Sequence, residues 1–208
     1  VQDQFDVDDE TRKLARKITL GKQTPVEKVK AVYDWVVDNT RYVALEFGVY
    51  GYKPHRCVQT VSRGWGDCKD KATVIVTLLK ELGINASIVI VRSGMRGDFD
   101  STVASLSPFD HAIAYVPSLN LYLDGTAEYT GAYELPGMDA GAIALRVNQG
   151  DAELVRLPIP DPEHDLRKRE AVATLHRDGR AQIDLSFGTI GTSASSWRRR
   201  FHAESTRR

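Results

Sequence analysis

From Ala72 to Leu82 the chain places apolar residues at helical spacing: Ala72, Ile75, Val76, Leu79 and Leu82 share one face, and Val74 and Leu78 widen it. A helix apolar over so much of its surface must be covered on nearly all sides, so it belongs at the centre of a layered fold and not on its surface. The residues before it are as informative. Trp65-Gly66 breaks the chain, Asp67 stands at the capping position, and Asp70 three residues on completes a capping-box pair, while Gly83 ends the helix. The most buried helix therefore opens on a cysteine, Cys68.

The elements around it are legible from the same signals. Val7 to Leu20 reads as a helix through Leu14, Ala15 and Ile18, with Asp8 to Glu10 at its favourable end and Gly21 stopping it. Thr24, Pro25 and Glu27 start a second helix that runs to about Asn39. Residues 40–56 hold Tyr42, Phe47, Tyr50 and Tyr52 among glycines and read as an ordered loop, either walling a cleft or pinned to the core. One short turn is expected at Thr60–Arg63. Strands are expected over 84–91, 111–116, 119–123 and 143–147, with a polar loop over 93–108 and a glycine-rich loop with scattered aromatics over 125–141.

A thiol in the first turn of a helix lies near unpaired N–H groups and the positive end of the dipole, which favour the reactive thiolate. Its own backbone N–H is placed to meet the oxygen of an attacked carbonyl. Such a nucleophile needs a base, and the base needs an acid to orient it. His111 opens one strand and Asp124 closes the next. The two stand equally far from a turn centred on Pro117-Ser118, so a two-residue hairpin would oppose them directly. Cys68, His111 and Asp124 are thus the candidate catalytic set.

These residues, in this order, resemble the transglutaminase-like superfamily, and most closely the bacterial domain flanked by domains of unknown function. The resemblance rests on Tyr42-Val-Ala-Leu-Glu-Phe-Gly48, Gly51-Tyr-Lys-Pro54, Gly66-Asp-Cys-Lys-Asp-Lys71, Phe109-Asp-His111 and Leu121-Tyr-Leu-Asp-Gly-Thr126, and spans roughly residues 25 to 147. It implies an α+β, papain-like/transglutaminase-like cysteine protease fold, with a central helix packed on an antiparallel sheet and followed by a partial β-rich segment. It implies Cys68 as nucleophile, His111 as general base and acid, and Asp124 as orienter. The activity implied is acyl transfer through a thioester, with hydrolysis of a peptide or amide bond first; a transglutaminase or ligase with an amine acceptor and a non-catalytic assembly module are the alternatives. A peptide or protein substrate, flanking domains of the same protein and a periplasmic or cell-envelope setting follow from the same resemblance. Papain-type enzymes and animal transglutaminases differ in their second oxyanion donor, and Gln59, Tyr42, Tyr50 and Tyr52 all remain open here.

Other classes find little support. Lysines and arginines balance aspartates and glutamates at 28 each, so the chain as a whole carries no footprint for nucleic acid. No apolar run is long enough to span a bilayer. His55, Cys57, Asp67, Cys68 and His111 offer donor atoms, but without paired-cysteine spacing or a His-x-x-x-His helix, and no metal or cofactor is expected. Cys57 reads as a buried structural residue. Three prolines in Leu157-Pro-Ile-Pro-Asp-Pro162 divide a catalytic domain, 1–157, from an extended linker and the start of a truncated β-rich domain, 158–208. There, 170–175 and 181–187 alternate as a hairpin, and 194–208 reads as a basic helix or an unstructured end.

Overall fold

The computed structural model describes residues 2–94, 99–148 and 151–205. The loop read over 93–108 includes residues 95–98, and the C-terminal stretch includes 206–208; these positions lie outside the described residues. The chain forms two compact units, Val1–Ile159 and Pro160–Arg208. No helix among the described residues is long and apolar enough to cross a membrane.

In the first unit, capping chemistry sets the helix starts. Asp8 accepts from Thr11 N at 2.7 Å and opens α1 (Asp9–Ile18). Thr24 and Glu27 exchange both hydrogen bonds of a capping box at the start of α2 (Pro25–Asn39). The helix α3 (Cys57–Arg63) is longer than the single turn expected, because Gln59 Oε1 accepts from Arg56 N and starts the helix a turn earlier. Then comes α4 (Cys68–Glu81), whose residues from Cys68 to Leu79 are all buried. Val74, Ile75, Val76, Leu78 and Leu79 are fully inaccessible, and burial of each such side chain stabilises the fold by roughly 1.5–3 kcal/mol. The helices α1, α2 and α3 pack against α4, and the sheet covers it from the other side.

That sheet is antiparallel throughout, in the order β5-β4-β3-β6-β7, from β3 (Ser87–Arg92), β4 (His111–Val116), β5 (Leu121–Leu123), β6 (Ile143–Asn148) and β7 (Asp151–Arg156). The expected α+β architecture, a central helix on an antiparallel sheet, is the one observed. Alternation sorts its side chains: Ile88, Ala114, Val116 and Leu123 face the helical core, whereas Val89, Val91, Ile113, Tyr115 and Tyr122 face a second core closed by Leu135, Ala142 and Leu157. Burial on both faces explains why His-Ala-Ile-Ala-Tyr-Val has no polar alternation. The edge strand β7 was not expected from the sequence; Asp-Ala-Glu-Leu-Val-Arg is polar because it lies exposed. A separate parallel pair joins β1 (Arg41–Tyr42) to β2 (Trp65–Gly66) and lays Tyr42 beside Gly66.

The β4–β5 connection corrects one expectation. Residues 117–120 all belong to the turn, with a short 3-10 segment over Pro117–Leu119 and Asn120 in the left-handed region at φ 45°. The register is Ala114↔Leu123, Tyr115↔Tyr122 and Val116↔Leu121. Continued by one position it sets Asp124 opposite Ile113, two residues from His111 on the same face. His111 and Asp124 are therefore diagonal neighbours across the hairpin and not directly opposed.

Residues 158–165, which run from the first unit into the second, are extended only in part, since Pro162–His164 makes a 3-10 turn. A long hairpin follows, β8 (Arg167–Leu175) with β9 (Ala181–Thr189), turned by His176 and Arg180 with Gly179 at φ 83°. The last helix, α5 (Thr192–Ser205), starts where Thr192 Oγ1 and Ser193 N donate to the Asp165 carboxylate at 2.6 and 3.1 Å.

Candidate active site

The start of α4 is fixed by a buried polar cluster. Asp67 accepts from Asp70 N at 3.2 Å, and Asp70 Oδ2 accepts from Asp67 N at 3.3 Å. Asp70 is itself tied from outside the helix: His55 N donates to it at 2.7 Å, the His55 ring lies at 3.1 Å, and Arg63 Nη2 donates at 2.7 Å. Arg63 also lies over the Trp65 ring, 3.9 Å from its centroid. Trp65 therefore packs under a cation next to the cysteine turn. Lys69, the residue after Cys68, bridges Asp67 and Glu46. Cys68 emerges from this frame 8% exposed, and both cysteines are free thiols. Cys57 differs in kind: it is fully buried in the helical core, and burial pushes its thiol up to about 12.

His111 is held by what precedes it. Asp110 accepts from Ser93 N at 2.8 Å and from Ser93 Oγ at 2.9 Å, while Asp110 N donates to Val91 O. This pins the first residue of β4 against the end of β3, where His111 pairs with Val91. Asp124 follows β5, and Thr126 orients it by donating N–H at 2.8 Å and Oγ1–H at 2.7 Å to Oδ1. Its Oδ2 stands 3.3 Å from His111 Nε2. That contact is an ion pair without hydrogen-bond alignment, since Nε2 has no acceptor in good geometry; contacts of this kind often tighten only when substrate is bound.

The electrostatics follow from this crowding. Burial disfavours a charged ring at His111, but Asp124 and the Cys68 thiol interact with it and favour the charge, and together they push its pKa up to about 11. Burial would raise Asp124, yet the His111 ring and the two Thr126 donors outweigh it and hold the carboxyl below its ordinary value. The structure thus brings Cys68, His111 and Asp124 into one cluster.

Of the four residues left open as oxyanion donors, Tyr42 is laid beside Gly66 by the β1–β2 pairing and is 43% exposed. Gln59 is exposed and spends its carbonyl on the α3 start, Tyr50 stacks on His55 at 4.1 Å between centroids, and Tyr52 is 81% exposed. Burial pushes the Tyr42 hydroxyl up to about 12, and the negative charges of Cys68, Asp67, Glu46 and Asp124 add to the shift. Two groups of donor atoms among the described residues are near enough for a cation: Glu46, Asp67 and Cys68, and His111, Asp124 and Asp139. The Lys69 ammonium bridges two of the three residues of the first group, and the second is the His111–Asp124 pair with Asp139 beside it. Sequence reasoning missed Asp139 and the His55–Asp70–Arg63 frame; one aspartate inside Gly137-Met-Asp-Ala-Gly141 carries no local signal.

With this geometry in hand, the similarities to known proteins can be placed. The sequence profile described as the transglutaminase-like superfamily matches residues 12–136. A candidate protease from Parabacteroides distasonis shares 15% identity at a TM-score of 0.53, over 73% of this chain and 28% of that one. A candidate cysteine protease from Cytophaga hutchinsonii shares 19% identity at a TM-score of 0.43, over 86% of this chain and 51% of that one. The first likeness bears on the fold, and this chain spans only part of the length of either protein. No curated protein sequence matches the chain.

Proposed function

The chain belongs to the transglutaminase-like superfamily, and from that premise we propose that it is a cysteine-dependent acyl-transfer enzyme that hydrolyses a peptide or amide bond through a thioester. The observation that carries this reading is the His111–Asp124 ion pair, 3.3 Å long and nearly inaccessible to water, beside a cysteine at the first position of the central helix. In the first half-reaction the Cys68 sulfur attacks the carbonyl carbon, its proton already resting on the His111 ring. As the tetrahedral intermediate collapses, the C–N bond breaks and His111 gives that proton to the leaving amine. Water then attacks the thioester, giving its proton to the now neutral His111, and the acid leaves as the C–S bond breaks, which restores the resting pair. Asp124 keeps the ring aimed and stabilises its charge throughout.

The oxyanion needs two donors. We assign one to the backbone N–H of Cys68 and the other to the Tyr42 hydroxyl, which β1–β2 pairing brings beside the cysteine turn. A phenol whose pKa is raised keeps its proton and stays a donor.

The test is turnover by the full chain on a panel of peptides and glutamine-containing amides, with products identified by mass spectrometry. Cys68→Ala and His111→Ala are each expected to lower turnover by roughly 10³-fold or more while the circular dichroism spectrum is kept. Free acid as the product supports hydrolysis. An amine-linked product in the presence of excess amine would move the assignment to transglutamination, and activity surviving in Cys68→Ala would remove the thiol mechanism altogether.

A further inference from the structure

The loop that closes the second core carries a charged residue that the reaction above leaves unused. Asp139 lies in a tight turn where its N–H donates to Pro136 O at 2.9 Å and Ala142 N donates back to Asp139 O at 3.0 Å. Gly94 N donates to Met138 O at 2.9 Å, and Leu135 and Ala142 are buried under the sheet, so the turn is held at both ends. The Asp139 side chain is wholly inaccessible to solvent, and neither of its carboxyl oxygens has a hydrogen-bond donor. An ionised carboxylate so placed would be left without compensation, which folded proteins avoid.

What it faces resolves the difficulty. Asp139, Asp124 and His111 each bring an atom within 4.8 Å of the others. The charged groups acting on Asp139 are Asp124 after β5, His111 at the start of β4, and Asp110 just before it. Two ionised carboxylates this close offer only acceptors, and one proton between them turns repulsion into a hydrogen bond. Asp124 is the poorer holder of that proton. Its Oδ1 already accepts twice from Thr126, and its Oδ2 faces the imidazole.

We propose that Asp139 is a positioning residue for the His111–Asp124 pair: as the neutral acid it donates a hydrogen bond to the Asp124 carboxylate and fixes that carboxylate toward the ring. The proposal rests on the role assigned above to His111 and Asp124. Burial, then the charge of Asp124, pushes the Asp139 carboxyl up to about 7, with His111 pulling the other way. The proton is therefore held in mildly acidic solution and lost as the pH rises. On its loss, Asp124 has no third donor and the ring faces a second anion, which holds the imidazolium more tightly and makes it a poorer acid. Proton transfer at His111 then carries a step set by Asp139, apart from the titration of His111 itself.

The test uses the full chain with Asp139→Asn, which keeps a donor but cannot ionise, and Asp139→Ala, which has neither. The first measurement is the carboxyl ¹³C resonance of Asp139, assigned in protein labelled at aspartate, between about pH 4 and 9. It is expected to titrate well above the free-aspartate range; an Asp139 carboxyl ionised throughout that interval overturns the proposal. The second is the rate of Cys68 alkylation by iodoacetamide, read at each cysteine by mass spectrometry. The wild type is expected to show a step near neutral pH that Asp139→Asn abolishes. At about pH 6 the asparagine variant should stay within about threefold of wild type, whereas the alanine variant should differ by about tenfold. The same step in Asp139→Asn as in wild type overturns the proposal, and so does a merely structural pattern in which both variants lose reactivity equally at every pH. A wild-type Cys68 no more reactive than Cys57 would instead count against the catalytic reading, and the carboxyl titration would still decide where the proton resides.

Discussion

His111 keeps its proton although burial opposes the charge, because Asp124 and Cys68 stand beside the ring. The consequence for stability has a definite sign. A group whose folded pKa is raised contributes fully below its unfolded value, here 6.5, and loses that contribution as the pH climbs toward the folded value of about 11. Asp124 works the other way: its lowered pKa helps the fold above 3.8, and the help is lost as acid protonates it. Removing one partner of a buried ion pair costs about 3–5 kcal/mol. Urea unfolding of His111→Gln should therefore show its largest deficit against wild type near pH 6 and a steadily smaller one toward pH 10; a deficit that grew with pH would contradict the pairing. Tyr42 allows an independent check. Tyr42→Phe removes one hydroxyl and is expected to lower kcat by about 10²-fold with little change in KM, the signature of a donor used only in the transition state. An equal loss in KM alone would make Tyr42 a substrate-binding wall.

At the scale of elements, the helix starts were the most legible features, because a cap is a local bargain among residues three apart. Thr24 with Glu27 and Asp67 with Asp70 pair as their spacing requires, and β4 runs over the expected 111–116. The features that were not legible depend on contacts far apart in sequence. The hairpin register moved because Pro117–Asn120 form a four-residue turn, β7 is visible only once β6 is there to pair with it, and α3 begins earlier through a side-chain bond from Gln59. Asp139 was invisible for the same reason: its neighbours Asp124 and His111 come from other elements. The cap of α4 also explains Gly66. A Cβ there would lie 2.6 Å from Asp70 Cβ and 2.9 Å from Asp70 Oδ2, so the residue is glycine to let β2 approach the capping box. Gly66→Ala should lower stability by about 1–3 kcal/mol and slow Cys68 labelling, since the same contact positions the helix start. An unchanged melting temperature would mean that Asp70 yields without loss.

The two units differ in how they are held together, and this difference governs how the whole molecule should open. Unit Val1–Ile159 has two hydrophobic cores, one on each face of its sheet, with α4 buried between the helices and the strands. Unit Pro160–Arg208 depends on one two-stranded hairpin and one helix. Nearly every residue of β8 and β9 is exposed, including Val172 at 63%, Leu175 at 82%, Ile183 at 60% and Phe187 at 50%. The ties described within it include the Asp165 cap on α5, the Phe187–Trp197 and Trp197–Phe201 ring contacts, and the ladder itself. A hairpin without a covering layer is at best marginal in water, because the entropy of ordering each residue nearly cancels what its exposed side chains contribute. Hydrogen exchange followed by mass spectrometry resolves the two units in one experiment. Amides of α4 and β4 are expected to open only with global unfolding, while those of β8 and β9 should exchange faster by about 10³-fold or more, through local opening. The comparison is made on the amides that point into the β8–β9 ladder, since every second N–H of a two-stranded hairpin faces outward and exchanges fast in any case. If β8 and β9 proved as protected as β4, the hairpin would have to be covered by something that hides its apolar side chains, and a second copy of the chain would show itself as protection that rises with protein concentration.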